Sequence, residues 1–364
     1  MSLHKEISFE AEICQHLADN GWLYAKGDAE AYDRARALFP ADVLEWVQAT
    51  QPKAWETLTK NHGAHAGETL LARLRDQLDQ RGRLDVLRHG IELLGLKQPV
   101  KLAEFKPALA INPEILARYA ANRLRVVRQV HYSLHSENSL DLVLFLNGLP
   151  VATAELKTDF TQSIDDAIDQ YRFDRLPRPK GQAGEPLLSF PNGALVHFAV
   201  SNSEVHMVTK LEGPATVFLP FNQGNEGAAG NPVNPKGGHR TAYLWEQVWE
   251  RESWLEILGR YLIAQRDKKK QIERIIFPRF HQLDVTRRLQ TAVLADGPGG
   301  KYLVQHSAGS GKTNSIAWTA HFLAELHDAH HKKVFDTVLV VSDSTVIDSQ
   351  LQEALFDFQR RRNA

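Results

Sequence analysis

The stretch 139–157 carries three side chains whose types and spacing could hydrolyse a phosphodiester bond. Asp141, Glu155 and Lys157 bring two carboxylates and an amine to a pair of short apolar runs. Two converging carboxylates can hold one Mg²⁺ ion, and phosphodiester hydrolysis needs a cation to polarise water or to stabilise charge on the phosphorus. We therefore predict a metal-dependent hydrolytic site here. On residue types alone, an exposed hairpin with a surface glutamate and lysine fits the stretch equally well.

A hairpin must position these carboxylates, and its register decides whether they meet. The dipeptide Asn147-Gly148 separates the two runs and is a strong signal for a two-residue turn. Such a turn would pair Asp141 with Ala154 and would place Asp141 on the opposite face from Glu155. One extra residue, for example at a glycine in a bulge, would pair Asp141 with Glu155 instead. If the site exists, we expect that bulge.

A glycine-rich loop at 306–313, HSAGSGKT, is the second stretch with chemical potential. Gly309 and Gly311 tolerate the backbone angles that turn N–H groups toward a phosphate. Lys312 would neutralise the β- and γ-phosphates of ATP, and the Thr313 hydroxyl would hold Mg²⁺. A histidine replaces the first glycine of the usual pattern, but the apolar run before the loop and the helical pattern after it are those of a phosphate loop.

Gln282, in the segment PRFHQLDVTRRL upstream of the loop, is a candidate for reading adenine, as such a glutamine does in superfamily 2 helicases. A glutamine on a helix surface is the plain alternative. The predicted nucleotide-binding residues are Gln282, Gly309, Ser310, Gly311, Lys312 and Thr313. No acidic Mg²⁺-binding strand of a motor occurs before Ala364, so we expect negligible ATP hydrolysis by this chain and the rest of the motor downstream in a longer parent protein.

The pattern of apolar residues predicts the elements that hold these two sites. Helices are predicted at 6–20, within 66–94 and at 163–173, strands at 123–131, 195–201, 204–210 and 215–219, and a hairpin of two strands at 138–157. The Gly-, Asn- and Pro-rich segment 222–240 is predicted to be a loop or linker. A Trp-rich helical stretch follows, from Leu244 to Ile263. The start of a parallel βαβ unit is then predicted from a strand at 301–305, the loop, a helix to about residue 327 and a strand at 337–342.

The composition is that of an ordinary soluble globular protein, with 43% hydrophobic and 24% charged residues. Its net charge of −1 argues against a protein that coats DNA. With Cys14 as the one cysteine, a disulfide framework and a thiolate zinc site within the chain are excluded. No apolar run reaches the roughly 18 residues of a membrane span, and we expect a cytoplasmic protein. Local clusters of arginine and lysine are expected to be solvated faces. They are Arg123, Arg125 and Arg128; Arg172, Arg175, Arg178 and Lys180; and Lys268, Lys269 and Lys270.

The pattern D-(x)13-E-L-K on this hairpin resembles the PD-(D/E)xK nuclease superfamily, with Leu140 where proline often sits. The order of segments along nearly the whole chain resembles the motor (R) subunit of type I restriction enzymes. Those segments are FEAEICQHLADNGW, SLDLVLFLNGLPVATAELK, the helix with QYRFDR, FPNGALVHFAVSNSEVHM and the motor start FPRFHQLD…GSGKT…VVSDSTVIDSQL. The implied fold is α/β. Residues 1–260 would form a PD-(D/E)xK restriction-endonuclease-like domain with a C-terminal linker, and 261–364 the truncated beginning of a RecA-like helicase domain.

The resemblance also implies roles for single residues. Asp141 and Glu155 would bind Mg²⁺, and Glu10 would complete the metal site, although Glu10 could equally be a solvent-facing residue of its helix. Lys157 would position the attacking water or stabilise charge. Gln170 matches the glutamine of a Q-x-x-x-Y element in related nucleases and would support the active site or the DNA.

Two positions depart from the family pattern. Asp174 stands where the tyrosine of the Q-x-x-x-Y element is expected, which puts the role of the glutamine in doubt. In the motor, Asp343-Ser344 replaces an Asp-Arg pair, so a contact made by that arginine would be missing.

The function implied is that of a type I site-specific deoxyribonuclease: Mg²⁺-dependent cleavage of double-stranded DNA, coupled in the full-length protein to ATP-driven translocation. The implied partners are DNA and the methyltransferase (M) and specificity (S) subunits, with no membrane. One alternative is a superfamily 2 helicase-type ATPase with a non-catalytic N-terminal assembly domain. Another is a catalytically silent module that docks on the methyltransferase–specificity core. The geometry of the three hairpin side chains would separate these readings.

Overall fold

A computed structural model describes residues 6–160 and 162–342. Its main feature is a six-stranded sheet whose strands follow chain order from one edge to the other. The strands are β1 (Leu124–His131), β2 (Ser139–Leu146), β3 (Leu149–Leu156), β4 (Val196–Val200), β5 (Val205–Val208) and β6 (Leu219–Pro220). Within this sheet β3 and β4 are parallel, and the other neighbours are antiparallel. The expected mixture of helices and strands is confirmed, but the sheet is mostly antiparallel.

The helices of the described residues lie before, within and after this sheet. They are α1 (Glu6–Asp19), α2 (Pro40–Thr50), α3 (Pro52–His62), α4 (Ala66–Arg81), α5 (Arg83–His89), α6 (Pro113–Ala120), α7 (Ile164–Asp169), α8 (Arg251–Glu256), α9 (Phe280–Asp296) and α10 (Lys312–Ala324). Proline opens α2, α3 and α6, at the position where its missing N–H has no helical partner. The helices predicted at 6–20 and within 66–94 are confirmed.

Short π-helical turns interrupt the regular helices. They span Gln170–Asp174, Leu244–Val248 and Ile257–Tyr261. The first continues α7, so the helix predicted at 163–173 changes its pitch partway along. The other two break the predicted Trp-rich helix into pieces, and strand β7 (Ile263–Arg266) follows them and pairs with β8 (Ile272–Ile276). The segment 222–240 is a loop, as predicted.

The middle strands of the sheet are buried on both faces. In β2, Leu142 and Leu144 belong to the larger apolar cluster, whereas Val143 and Phe145 belong to a second cluster on the other side. This alternation is what a strand with two covered faces requires. Helix α1 contributes to the larger cluster, so its position over the sheet is fixed by packing.

The register of the β2–β3 hairpin contains the expected extra residue. Leu146 pairs with Leu149 across a tight turn, but Leu144 pairs with Ala152, which leaves Val151 as the bulged residue. Continuing from the Leu142–Ala154 pair, Asp141 lies opposite Glu155. The predicted bulge is therefore confirmed.

The suggestion that a glycine forms the bulge is wrong. Asn147 and Gly148 have φ values of 49° and 79°, and both are used by the two-residue turn. A Cβ on Gly148 would lie 2.4 Å from the carbonyl oxygen of Phe39. The glycine is needed for the turn and for this close approach, so the extra residue falls in β3.

The two strands predicted beside the phosphate loop do not form in the described part of the chain. Residues 301–305 and 337–342 have no strand conformation, and Leu303 and Leu339 stand largely in solvent. A parallel strand is held by hydrogen bonds to its neighbours and is covered on both faces. Neither support is present around these residues. The predicted βαβ unit is therefore wrong here, although α10 begins at Lys312, near the end of the loop, as predicted. Asp343-Ser344 lies outside the described residues.

The apolar core continues across the predicted domain boundary at 260/261. Phe198 of the sheet makes an edge contact with Phe277, and Trp318 of α10 belongs to the same cluster. The boundary stays a prediction. Among the described residues, no helix combines the length and apolarity that a membrane crossing requires.

Candidate active site and phosphate loop

The hairpin carboxylates lie at one end of the sheet, where β2 begins and β3 ends. The Oδ2 atom of Asp141 accepts a hydrogen bond of 2.8 Å from the backbone N–H of Leu156. This bond holds the Asp141 side chain against β3 at the residue after Glu155. The Asp141 side chain is half-buried. Its orientation is thus set by the backbone of the partner strand.

Glu155 is a fully buried carboxylate whose two oxygens have different surroundings. Its Oε1 accepts a hydrogen bond of 2.7 Å from Arg175, whereas its Oε2 is buried and receives no hydrogen bond from any described residue. Burial raises the pKa of Glu155 well above its usual value, and the charge of Asp141 raises it further. Arg175 opposes both effects without outweighing them. A buried oxygen without a partner is energetically unfavourable unless something else binds it.

Glu10 lies at the same end of the sheet and is buried, so it is not the solvent-facing residue that the sequence left possible. Its Oε2 accepts a 2.8 Å hydrogen bond from Arg128, and its Oε1 accepts one of 2.8 Å from Gln129. Burial raises the pKa of Glu10, and the charge of Asp141 also raises it, while Arg128 lowers it. The helix and the hairpin therefore bring three carboxylates into one electrostatic neighbourhood.

One face of α1 covers this end of the sheet. Glu6 and Glu10 are four residues apart, which puts both side chains on the same side of the helix. Glu6 Oε1 lies 3.3 Å from the Nζ atom of Lys157, whose side chain is 5% exposed. Lys157 is therefore a buried cation held between the helix and the hairpin.

Gln170 opens the π-helical turn, and its Oε1 is buried without a hydrogen-bond partner among the described residues. The next residue, Tyr171, is fully buried and anchors the turn. Its hydroxyl lies 2.8 Å from the Thr153 hydroxyl, which lies 2.8 Å from His197 Nδ1. Burial lowers the pKa of His197 to about 3, so this histidine is neutral. Arg175 follows the π turn and donates a hydrogen bond to Glu155 of the candidate site.

The side chains present fit a divalent cation. The Oε2 of Glu155 is a buried carboxyl oxygen to which no described residue donates a hydrogen bond, and Asp141 lies opposite it across the strands, where a cation would offset the repulsion between the two carboxylates. Hard cations such as Mg²⁺ prefer carboxylate oxygens and keep several waters, so two carboxylates suffice. Among the described residues, however, no three side chains of His, Cys, Asp or Glu are grouped so that they could hold a metal ion, so Glu10 does not form such a group with Asp141 and Glu155.

Arg175, Arg128 and Gln129 take part in this site and were not predicted from the sequence to belong to it. Both arginines were expected on solvated faces, which is wrong for each of them. Their ion-pair partners lie on other elements, Glu155 for one and Glu10 for the other. The sequence does show Arg175 five residues after Gln170, but only the fold shows that Arg175 pairs with Glu155.

Arg123 and Arg125 likewise form ion pairs rather than a free basic face, since both contact the buried carboxylate of Asp42. Lys268, Lys269 and Lys270 are exposed at the tip of the β7–β8 hairpin, as a solvated cluster would be. In the second cluster Arg178 and Lys180 are exposed as expected, so there the expectation holds for part of the cluster.

The phosphate loop has the local backbone that its sequence predicts. Gly309 and Gly311 have φ values of 74° and 79°. A Cβ on Gly311 would lie 2.6 Å from the Gln282 amide nitrogen, so a side chain there would be strained by the backbone and would displace the Gln282 amide. Ser310 Oγ and His306 Nδ1 are buried without hydrogen-bond partners among the described residues. These free polar atoms fit a loop that can take up an anion.

Lys312 and Gln282 make contacts with the loop itself. Lys312 Nζ donates to the carbonyl oxygens of His306 and Ser307, at 3.3 and 3.0 Å. Gln282 is buried and donates to the Gly311 carbonyl at 2.9 Å, while its Oε1 accepts from the Arg279 N–H. To bind adenine, Gln282 would have to replace its hydrogen bonds to Gly311 and Arg279 with hydrogen bonds to the base.

A cleft of about 340 Å³ opens beside the loop. The loop and α9 contribute Gly309, Ser310, Gly311 and Gln282, and the edge of the six-stranded sheet contributes Met207, Val217 and Leu219. Its size is within the range of small-molecule sites. The Thr313 side chain is half-buried at the start of α10.

Comparison with known proteins gives results that bear on the part of the chain that contains the hairpin site. Residues 6–216, more than half of the chain, match the family model described as type I restriction enzyme R protein N terminus. The putative type I restriction enzyme MjaVIIIP endonuclease subunit of Methanocaldococcus jannaschii is 23% identical over 227 residues. That alignment covers 60% of this chain and 20% of the relative, so the chain spans about a fifth of the relative's length.

Proposed function

Because the chain belongs to the family of the type I restriction enzyme R protein N terminus, we propose that its hairpin site cleaves phosphodiester bonds of double-stranded DNA with the help of Mg²⁺. The single observation that carries this proposal is the buried Glu155 oxygen without a partner, facing Asp141 across the hairpin. In this proposal Asp141 and Glu155 hold the cation and Glu10 completes the site. When bound, Mg²⁺ would polarise a water and neutralise charge on the phosphate.

The remaining side chains have roles that follow from their surroundings. Lys157 supplies a positive charge that Glu6 keeps in place, and this charge would stabilise the phosphate or orient the attacking water. The unpartnered Oε1 of Gln170 can accept a hydrogen bond from that water or from the DNA. Arg175 keeps Glu155 oriented, because its guanidinium binds the other carboxylate oxygen.

The loop at 306–313 is proposed to bind ATP in a longer parent protein. Its backbone amides and Lys312 would hold the phosphates, Thr313 would hold the Mg²⁺ of the nucleotide, and Gln282 would read the adenine. The parent protein would couple ATP-driven translocation to cleavage, as the motor subunit of a type I site-specific deoxyribonuclease. It would act in the cytoplasm, with a methyltransferase and a specificity subunit supplying recognition of the DNA.

A calorimetric titration of the 364-residue chain with Mn²⁺ tests the hairpin site directly. The wild type should bind the ion, Asp141→Ala should lose binding, and Asp165→Ala should match the wild type, since Asp165 is exposed on α7. In the reconstituted complex, Asp141→Ala should also abolish DNA cleavage. A helicase-type ATPase with a non-catalytic N-terminal assembly domain would instead give the same weak response to Mn²⁺ in all three proteins.

A further inference from the structure

Gln129 occupies a backbone conformation that a strand residue rarely adopts. It lies in the second half of β1 with a φ of 49°, in the left-handed region that favours glycine. The neighbouring pairs, Arg128 with Leu142 and Val130 with Leu140, place it opposite Asp141. Non-glycine residues keep such a conformation only where their surroundings hold them in it, and these places cluster at functional sites.

The Gln129 side chain connects two carboxylates of the candidate metal site. Its Nε2 donates to Glu10 Oε1 at 2.8 Å and to Asp141 Oδ1 at 3.1 Å. At the other end of the amide, Oε1 accepts a hydrogen bond of 3.0 Å from the Ser139 hydroxyl. Because two anionic acceptors lie on one side and a hydroxyl donor on the other, the nitrogen and the oxygen of the Gln129 amide can be assigned.

This arrangement is unusual for an exposed glutamine. Gln129 is open to solvent, so water could satisfy its amide without any strain in the backbone. Glu10 and Asp141 also repel each other, and an N–H group between them offsets that repulsion. The strained backbone is what brings the amide of a β1 residue between a carboxylate of α1 and a carboxylate of β2.

We propose that Gln129 is a positioning residue for the metal site: its amide holds the Glu10 and Asp141 carboxylates in a fixed relation before the cation arrives. The inference rests on the proposed function, because it assumes that these carboxylates serve a cation. Gln129 contacts neither DNA nor metal in this role and acts through the two side chains that it orients. Groups that orient metal ligands typically change metal affinity by about 10- to 100-fold when they are removed.

Two substitutions separate positioning from folding. Gln129→Met keeps the length of the side chain and removes the donor. Gln129→Gly removes the donor and also relieves the left-handed backbone, so it should unfold at the same or a higher urea concentration than the wild type. Gln98→Met, at an exposed loop position, is the matched control. Ser139→Ala should have a smaller effect in the same direction as Gln129→Met.

The measurement is calorimetric titration of each 364-residue chain with Mn²⁺, together with urea unfolding. We expect both Gln129 variants to bind Mn²⁺ about 10- to 100-fold more weakly, with Gln98→Met unchanged and Gln129→Gly undiminished in stability. Wild-type affinity in both Gln129 variants, with binding lost in Asp141→Ala, would overturn the positioning role alone. If Asp141→Ala binds Mn²⁺ as well as the wild type, the proposed metal site and the role of Gln129 both fall. If Gln129→Met does not fold, the Mn²⁺ affinity of Gln129→Gly alone tests the positioning role.

Discussion

The Nε atom of Arg175 donates to Oε1 of Glu155 at 2.7 Å, and this pair joins the π-helical turn to strand β3 in the interior of the protein. The carboxylate side chain is 1% exposed and the arginine side chain 14% exposed. The pair holds one oxygen of Glu155 and leaves the other free. Arg175 therefore decides how the proposed metal ligand is presented.

Arg175→Ala should lower the free energy of unfolding by about 3 kcal/mol or more, because removing one partner leaves a buried carboxyl group uncompensated. Urea denaturation without divalent ions measures this. Arg178→Ala, at an exposed position on the same segment, should change stability by less than about 0.5 kcal/mol. The double variant Glu155→Gln with Arg175→Ala should recover part of the loss. Equal stabilities for the two alanine variants would contradict the importance of the pair.

Glu155→Gln should make the stability of the metal-free protein less dependent on pH, although it removes a proposed metal ligand and the charged partner of Arg175. The folded protein raises the pKa of Glu155, so the folded state holds its proton more tightly than the unfolded state. Its contribution to stability is complete below the unfolded pKa of about 4.5 and is lost as the pH rises through the higher folded pKa. Glutamine does not titrate and avoids this loss. Unfolding curves across that range should therefore diverge as the pH increases, and parallel curves would refute the shift.

His197 should make the protein sensitive to acid. Its pKa is about 3 in the fold and about 6.5 when exposed, so the unfolded state takes up a proton first as the pH falls. Stability from this group is complete above about pH 6.5 and falls toward pH 3, by at most about 1.4 kcal/mol per pH unit. His197→Gln should flatten the dependence relative to the wild type. Identical pH profiles for the variant and the wild type would count against a neutral buried His197.

The sequence predicts the hairpin well because its information is local. Alternating apolar residues and the Asn147-Gly148 turn mark both strands, and the need for Asp141 to face Glu155 implies the bulge. The position of the bulge at Val151 does not follow from the sequence, because no residue type on β3 marks the residue that is left unpaired. The close approach of Phe39 to Gly148 does not follow from it either, because it joins parts of the chain that are far apart in sequence.

Other parts of the site could not be predicted, for the same physical reason. Whether an arginine is solvated or paired depends on what the fold places beside it, and Arg128 and Arg175 meet their partners across different elements. The left-handed conformation of Gln129 could not be predicted from its residue type, since glutamine has no preference for that conformation. The strands expected at 301–305 and 337–342 fail because a strand needs neighbours, which a pattern of apolar residues does not supply.

In the reconstituted complex with the full-length subunit, Asp141→Ala and Lys157→Ala should abolish DNA cleavage while ATP hydrolysis and translocation continue. The hairpin side chains act at one end of the six-stranded sheet, and the nucleotide is proposed to bind at the loop before α10, where no hairpin side chain lines the cleft. Removing a metal ligand withdraws several kcal/mol from the transition state, and each ~1.4 kcal/mol is a factor of ten in rate. Lys312→Ala should stop ATP turnover, and cleavage should fall with it if cutting depends on translocation.

Both activities should be measured for all three variants, with Asp165→Ala as the control. Continued cutting by Asp141→Ala would show that the active site lies elsewhere. Loss of ATP hydrolysis in Asp141→Ala would instead show that the hairpin and the phosphate loop are coupled.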